Sequence, residues 1–164
     1  MLTKVSSRSV KSAGSFAIVG ARYNPRYANA LVRFAARALR QAGASVRIWR
    51  VPGSFEIPVV AAELARWTDP PFDGIICFGV ILRGATTHAQ HIAEGVTNAL
   101  SQLQVERGVP VIHGVLLFEN EAQARERCLD RTHNRGIEAA HVALEMEKVM
   151  KTARRQMEKK TASP

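Results

Sequence analysis

A chain of 164 residues, 46% hydrophobic and 23% charged, has material for one domain with one core and for little else. Of its net charge of +9, residues 1–13 and 151–164 carry +7, so the stretch between them has the balance of an ordinary soluble domain, and a nucleic-acid partner has only the two ends to recommend it. No run approaches the ~20 apolar residues of a membrane span, the start lacks a secretory h-region, and two cysteines without CxxC spacing exclude a disulfide framework.

The expected organisation is a basic N-terminal segment (1–13), a central domain (14–150) and a solvated basic tail (151–164), in a cytoplasmic protein with no membrane association. Phe16 to Gly20 is a short apolar run closed by glycine. Pro25 follows, then Ala28, Leu31, Val32, Ala35, Leu39 and Ala42 at helical spacing: strand, loop, helix. Gly43 ends that helix, and Val46–Val51 alternates before Pro52-Gly53, which predicts a second strand and a sharp turn. A helix is expected over Ile57–Trp67. Ile75–Phe78, unbroken and apolar up to Gly79, is the candidate central strand, followed by a loop from Val80 to Thr86. Ile92, Val96, Ala99, Leu100 and Leu103 mark another helix, ending near Gly108-Val109-Pro110, and Val111–Leu117 a fourth strand. From Glu121 to about Met150 the pattern is helical in two pieces, broken by a turn at Asn134-Arg135-Gly136. Cys77 and Cys128 fall in apolar and helical runs and read as small buried hydrophobes; Trp49 and Trp67 read as core or interface residues.

Strands alternating with helices at this interval predict right-handed βαβ crossovers: a flavodoxin-like three-layer α/β/α sandwich on a four-stranded parallel sheet. A further strand lent by the N-terminal segment of a neighbouring subunit would extend it. In open α/β sheets ligands sit beyond the carboxyl ends of the strands, near the point where strand order reverses. The loops there are Ala21–Asn24, Pro52–Glu56, Val80–His88 and Phe118–Asn120, each rich in aromatic, hydroxyl or ionisable groups.

Arg83-Gly-Ala-Thr-Thr-His88 joins a buried strand to a helix. Its small residues, helix-start N–H groups and the hydroxyls of Thr86 and Thr87 suit a phosphate, although Thr87 alone is equally a helix cap. The spacing is neither Walker A nor GxGxxG, so neither ATP nor a dinucleotide is indicated. His88 can exchange a proton near neutrality. His91 stands one turn further on, but no third ligand is spaced for a metal. Tyr23 can stack on a planar heterocycle, and Glu56 can accept hydrogen bonds from a polyol or ring N–H, against the plainer roles of rim packing and a helix-start carboxylate. Arg127, between Arg125 and Arg131, suits a phosphate clamp or a solvated face.

Together these loops resemble the lumazine synthase family, from about Phe16 to Met150. The motifs are Tyr23-Asn24, Val51-Pro-Gly-Ser-Phe-Glu-Ile-Pro58, the RGATTH segment ending at His88, Gly108–Val111, Glu119-Asn120 with Gln123-Ala124, Arg127, and Asn134-Arg-Gly136. The resemblance implies condensation of 5-amino-6-(D-ribitylamino)uracil with L-3,4-dihydroxy-2-butanone 4-phosphate to 6,7-dimethyl-8-ribityllumazine, phosphate and water, without cofactor or metal. It implies that Tyr23, Ser54, Phe55 and Glu56, with Val80, Ile81, Leu82 and His113, bind the pyrimidine and its ribityl chain. Ala85, Thr86 and Arg127 would hold the phosphate, and His88 would shuttle protons. Family sites lie between subunits, with His113 and Arg127 coming from the neighbour of the subunit that supplies His88. A homopentamer, or a multiple up to an icosahedral shell, is therefore expected, with riboflavin synthase as a candidate partner. The chain departs from common family residues at Ala89 and Gln90, at His113 where Phe is frequent, and at Arg135 where Lys is frequent; Leu129–Asn134 lacks glycines found in many shell-forming members. Two rivals remain: a particle-forming paralogue that binds flavin or lumazine without turnover, and a flavodoxin-like nucleotide module, which would need a phosphate loop where Ala21–Asn24 stands.

Overall fold

The computed structural model describes residues 11–161, with the side chains of 160 and 161 outside the description. The elements are β1 (Ser15–Ala21), α1 (Pro25–Gln41), β2 (Ser45–Val51), a 3-10 turn (Ser54–Glu56), α2 (Ile57–Leu64), β3 (Gly74–Leu82), α3 (His88–Arg107), β4 (Val111–Phe118), α4 (Glu121–Leu129) and α5 (Arg135–Thr161). The four strands form one all-parallel sheet in the order β2-β1-β3-β4. The chain steps from β1 to one side for β2 and returns to the other for β3, so the strand order reverses between β1 and β3.

Alternation along the two central strands divides the core into two layers. Phe16 and Ile18 of β1 and Ile76, Phe78 and Val80 of β3 point to one face, where they meet Leu31, Ala35 and Leu39 of α1, Ala124 and Cys128 of α4, and Ala140 and Leu144 of α5. Ala17, Val19, Ile75 and Cys77 point to the other face, against Ile57 and Ala61 of α2 and Val96 and Leu100 of α3. The expected three-layer α/β/α sandwich with a four-stranded parallel sheet is therefore the fold observed. Burial of each large side chain in these layers contributes on the order of 1.5–3 kcal/mol. Both thiols are buried, and burial holds both above the ordinary thiol range, Cys128 at about 11. Trp49 packs edge-to-face on Phe72 at 5.8 Å between centroids, whereas Trp67 stays exposed beneath the Arg47 guanidinium.

The boundaries depart from expectation in three places. β3 runs on to Leu82, so Val80, Ile81 and Leu82 are strand and the loop begins at Arg83. Gly79 does not end the strand; it leaves room for the second loop, since a Cβ there would lie 2.3 Å from Ser54 Oγ. The helix expected to reach Trp67 stops at Leu64. Finally, α5 continues well past Met150 to Thr161, so the solvated basic segment is helical as far as it is described, its side chains exposed over 151–159. The Arg154 guanidinium of that extension donates to the Gly108 carbonyl at the end of α3 (3.2 Å). The expected extra N-terminal strand falls largely on residues 1–10, outside the described residues.

The break between α4 and α5 is a built turn. The Asp130 carboxylate accepts the N–H groups of Thr132 (2.8 Å) and His133 (2.7 Å) and the Thr132 hydroxyl (2.9 Å). Buried Asn134 donates to the Asp130 carbonyl (2.7 Å) and accepts the Ile137 N–H (2.9 Å), capping α5. Those hydrogen bonds, with the His133 N–H first, hold the Asp130 carboxyl below its ordinary value. A depressed folded pKa means stability that is present above the unfolded pKa, about 3.9, and is lost as pH falls through the folded value. Denaturant titrations of wild type and Asp130→Asn should therefore differ at pH 7 and converge as the pH is lowered past 3.9.

Candidate active site

Three post-strand loops lie at the end of the sheet where β1 and β3 finish, and the first two are tied to each other. Asn24 stands in the left-handed region (φ 50°), which asparagine tolerates better than most residues, and its side-chain amide donates to the Val80 carbonyl (2.8 Å). The first loop is thereby pinned across the switch point to the end of β3. Backbone N–H groups of Arg22 and Tyr23 donate to the Pro52 carbonyl, which ties the first loop to the second.

In the second loop the Glu56 carboxylate accepts the Gly53 N–H (2.7 Å), closing the short turn on itself. A Cβ on Gly53 would lie 2.8 Å from the Glu56 carboxylate and 3.2 Å from the Tyr23 ring, so the aromatic ring and the acid flank one glycine. Ser54 is buried against Gly79, whereas the neighbouring Phe55 ring lies beside Gly95 of α3 and is 65% exposed. Tyr23, at 71%, is equally bare. Two aromatic rings uncovered in one loop cluster are unusual for a packed subunit and provide stacking surface for a flat ligand or a neighbouring chain.

The third loop begins where β3 and β4 finish zipping together. Leu82 pairs with Phe118, the Arg83 N–H donates to the Phe118 carbonyl (2.9 Å), and the Arg83 guanidinium pairs with Glu119 at 2.7 Å. Residues 84–88 then turn into α3, all exposed. Among the described residues the N–H groups of residues 85–89 meet no acceptor, and Thr87 makes no side-chain cap. Thr87 is the N-cap residue of α3, its carbonyl accepting the Gln90 and His91 N–H groups, but its hydroxyl makes no cap bond; among the described residues the loop thus offers several donors without acceptors and the Thr86 and Thr87 hydroxyls at a helix start, an arrangement that suits an anion. His88 opens α3 at the end of this loop, exposed and, among the described residues, without a hydrogen-bond or ion-pair partner. Among those residues no three His, Cys, Asp or Glu side chains converge as metal ligands, and no helix is long and apolar enough to cross a membrane.

Two of the expected site residues lie elsewhere. His113 is on β4 opposite Cys77, five residues before the level of Leu82, or roughly 16 Å down the strand. It lines a groove of about 440 Å³ on the free edge of β4 with Gly114, Leu116, Arg135 and Glu138. Arg127 is exposed on α4, in the layer opposite α3, and its nearest acid is Glu126 at 3.9 Å. Tyr23, Ser54, Phe55, Glu56, Val80 to Leu82, Ala85, Thr86 and His88 thus gather at the sheet end, while His113 and Arg127 do not join them within one chain.

Two residues hold this site together in ways their local sequence does not reveal. One is Asn24 as a clamp on β3. The other is Arg50, whose guanidinium crosses over Gly20 to donate to the Ala21 carbonyl (2.8 Å) and to Asn29, fixing the start of the first loop; partial burial, then the charge of Arg22, lowers its pKa. Residues 14–151 match the family model for 6,7-dimethyl-8-ribityllumazine synthase.

Proposed function

Since that match makes the chain a member of the 6,7-dimethyl-8-ribityllumazine synthase family, we propose that it is a working catalyst of the condensation that gives the family its name. Its substrates are then 5-amino-6-(D-ribitylamino)uracil and L-3,4-dihydroxy-2-butanone 4-phosphate. The observation that carries this reading is the carboxyl end of the sheet at the β1/β3 switch point, which bears exposed aromatic rings, a buried serine and a loop ending at His88 whose N–H groups, among the described residues, meet no acceptor.

In this reading Tyr23 and Phe55 stack on the pyrimidine, and Ser54 and Glu56 hydrogen-bond to its polar edge and ribityl chain. Val80, Ile81 and Leu82 form the floor. The N–H groups and hydroxyls at Ala85 and Thr86 hold the phosphate, with Arg127 added from the neighbouring subunit, and His113 is a second contribution of that neighbour to the pyrimidine. Each of the two C–N bonds formed expels one water, and between these steps the carbon skeleton loses phosphate. His88 carries the protons: it gives one to the departing hydroxyl in imine formation, takes one from carbon as phosphate leaves, and returns it in ring closure. Holding two reactants together contributes up to ~7–11 kcal/mol in favourable cases, more than a single proton shuttle provides. An oligomer follows from this division of the site, because one chain carries both halves but cannot close them on each other; the family resemblance makes that oligomer a homopentamer or a multiple of it. Riboflavin synthase, which consumes the lumazine product, remains the candidate partner of such an assembly, and no cofactor takes part.

Mixing the purified protein with both substrates and following lumazine by absorbance and fluorescence tests the reading. Product should form well above the spontaneous rate, and His88→Ala should lower kcat by about 100-fold while leaving substrate affinities within about twofold. Tight binding of lumazine or flavin with no product above background would instead establish the non-catalytic paralogue.

A further inference from the structure

On the α3 side of the edge strand β4, a hydrogen-bond relay fixes the state of His113. The Thr97 hydroxyl, on α3, lies 2.7 Å from the Ala93 carbonyl and 2.8 Å from His113 Nε2. A carbonyl oxygen only accepts, so the single hydroxyl proton of Thr97 goes to Ala93. The hydroxyl oxygen is then free only to accept, and His113 Nε2 must be the donor. In the neutral imidazole the proton therefore sits on Nε2 and Nδ1 is a bare acceptor. Among the described residues Nδ1 has no partner. Arg135 and Glu138 lie on α5, across the sheet from the ring, and pair with each other at 2.6 Å.

We propose that Thr97 is a positioning residue that locks His113 as the Nε2–H tautomer, so that Nδ1 accepts a hydrogen bond from an N–H of the pyrimidine substrate seated on the neighbouring subunit. This deepens, and rests on, the reading of His113 as the neighbour's contribution to the pyrimidine site. The phenylalanine common at this position in the family can stack but offers no such acceptor, so the pair Thr97–His113 gives this chain an added polar contact and a preference for pyrimidines that keep their N–H groups.

Magic-angle-spinning NMR of the assembled protein labelled with ¹³C,¹⁵N-histidine reads the tautomer directly, with His113→Gln identifying the signal; calorimetric titration with 5-amino-6-(D-ribitylamino)uracil reads affinity without requiring turnover. At pH 8 the wild-type ring should show a protonated Nε2 and a bare Nδ1 whose resonance moves when the pyrimidine saturates the site. Thr97→Val should mix the tautomers and weaken pyrimidine binding about fivefold, the worth of one ordinary hydrogen bond, leaving the KM for butanone phosphate unchanged; Thr97→Ser should restore both. A wild-type Nδ1–H tautomer, an Nδ1 resonance indifferent to bound pyrimidine, or wild-type affinity in Thr97→Val each overturns the proposal. Binding without product refutes the catalytic reading alone, whereas no pyrimidine binding at all refutes both.

Discussion

Arg127→Ala should raise the KM for the butanone phosphate and lower kcat/KM by roughly 100-fold, with the affinity for the pyrimidine unchanged. Arginine suits the phosphate because its planar fork makes two parallel charge-assisted hydrogen bonds, and truncating one partner of such a pair costs ~2–5 kcal/mol when the site is desolvated. The guanidinium is available for this work. It is exposed on α4, and the one acid it pairs with among the described residues, Glu126, lies 3.9 Å away between two largely solvated side chains, a distance and setting in which an ion pair contributes little. Arg125, on the same helix and also exposed, is the control: Arg125→Ala should leave both constants within about twofold, as a surface substitution does. Steady-state titration of each substrate at saturation of the other gives both results. Equal losses in the two variants would show that α4 acts through general charge, and no loss in either would remove Arg127 from the phosphate site.

Gly136→Ala should destabilise the fold by about 3 kcal/mol, at the upper end for a single added methyl. Gly136 sits in the first turn of α5, where the helix crosses α1, and a Cβ there would lie 2.5 Å from the Leu31 carbonyl oxygen and 3.0 Å from both Leu31 Cα and Asn134 Oδ1. Backbone cannot swing aside as the end of a side chain does, so α1 and α5 must part or the Asn134 cap must break, and both are tied to the main core layer. Gly84→Ala is the comparison, because nothing lies within 4 Å of a Cβ at Gly84; it should unfold within about 0.5 kcal/mol of wild type. Urea unfolding followed by circular dichroism measures both, and a Gly136→Ala midpoint equal to wild type would show that the two helices have slack at this crossing.

These two glycines also mark what could and could not be read from the chain. The four strands were legible because each is a short apolar or alternating run with a helix-period segment after it, and a parallel sheet with both faces covered follows from that order. Gly136 was legible as a break between helices, but its reason, close passage over Leu31, is a contact between residues distant in sequence. Gly79 misled for the same cause. It looked like a strand terminator, yet β3 continues to Leu82 and the missing Cβ makes room for Ser54. The helical run past Met150 was hidden by its charge, since residues 151–159 are all exposed and a segment with no buried face carries no periodic signal. At the site, motif residues such as Glu56 and His88 stood out through their chemistry. Asn24 stood out only as part of the Tyr23-Asn24 motif and Arg50 not at all, because both work through backbone carbonyls on other elements.

The separation of His88 and Arg127 onto opposite layers of one chain has a genetic consequence. If each working centre takes His88 from one subunit and Arg127 from the next, the two lesions need not fall in the same centre. Subunits carrying His88→Ala and subunits carrying Arg127→Ala, co-expressed so that they assemble into mixed rings, will at some junctions bring an intact His88 against an intact Arg127. Two alleles that are each crippled alone then complement one another inside a single gene, whereas a chain bearing both changes rescues neither.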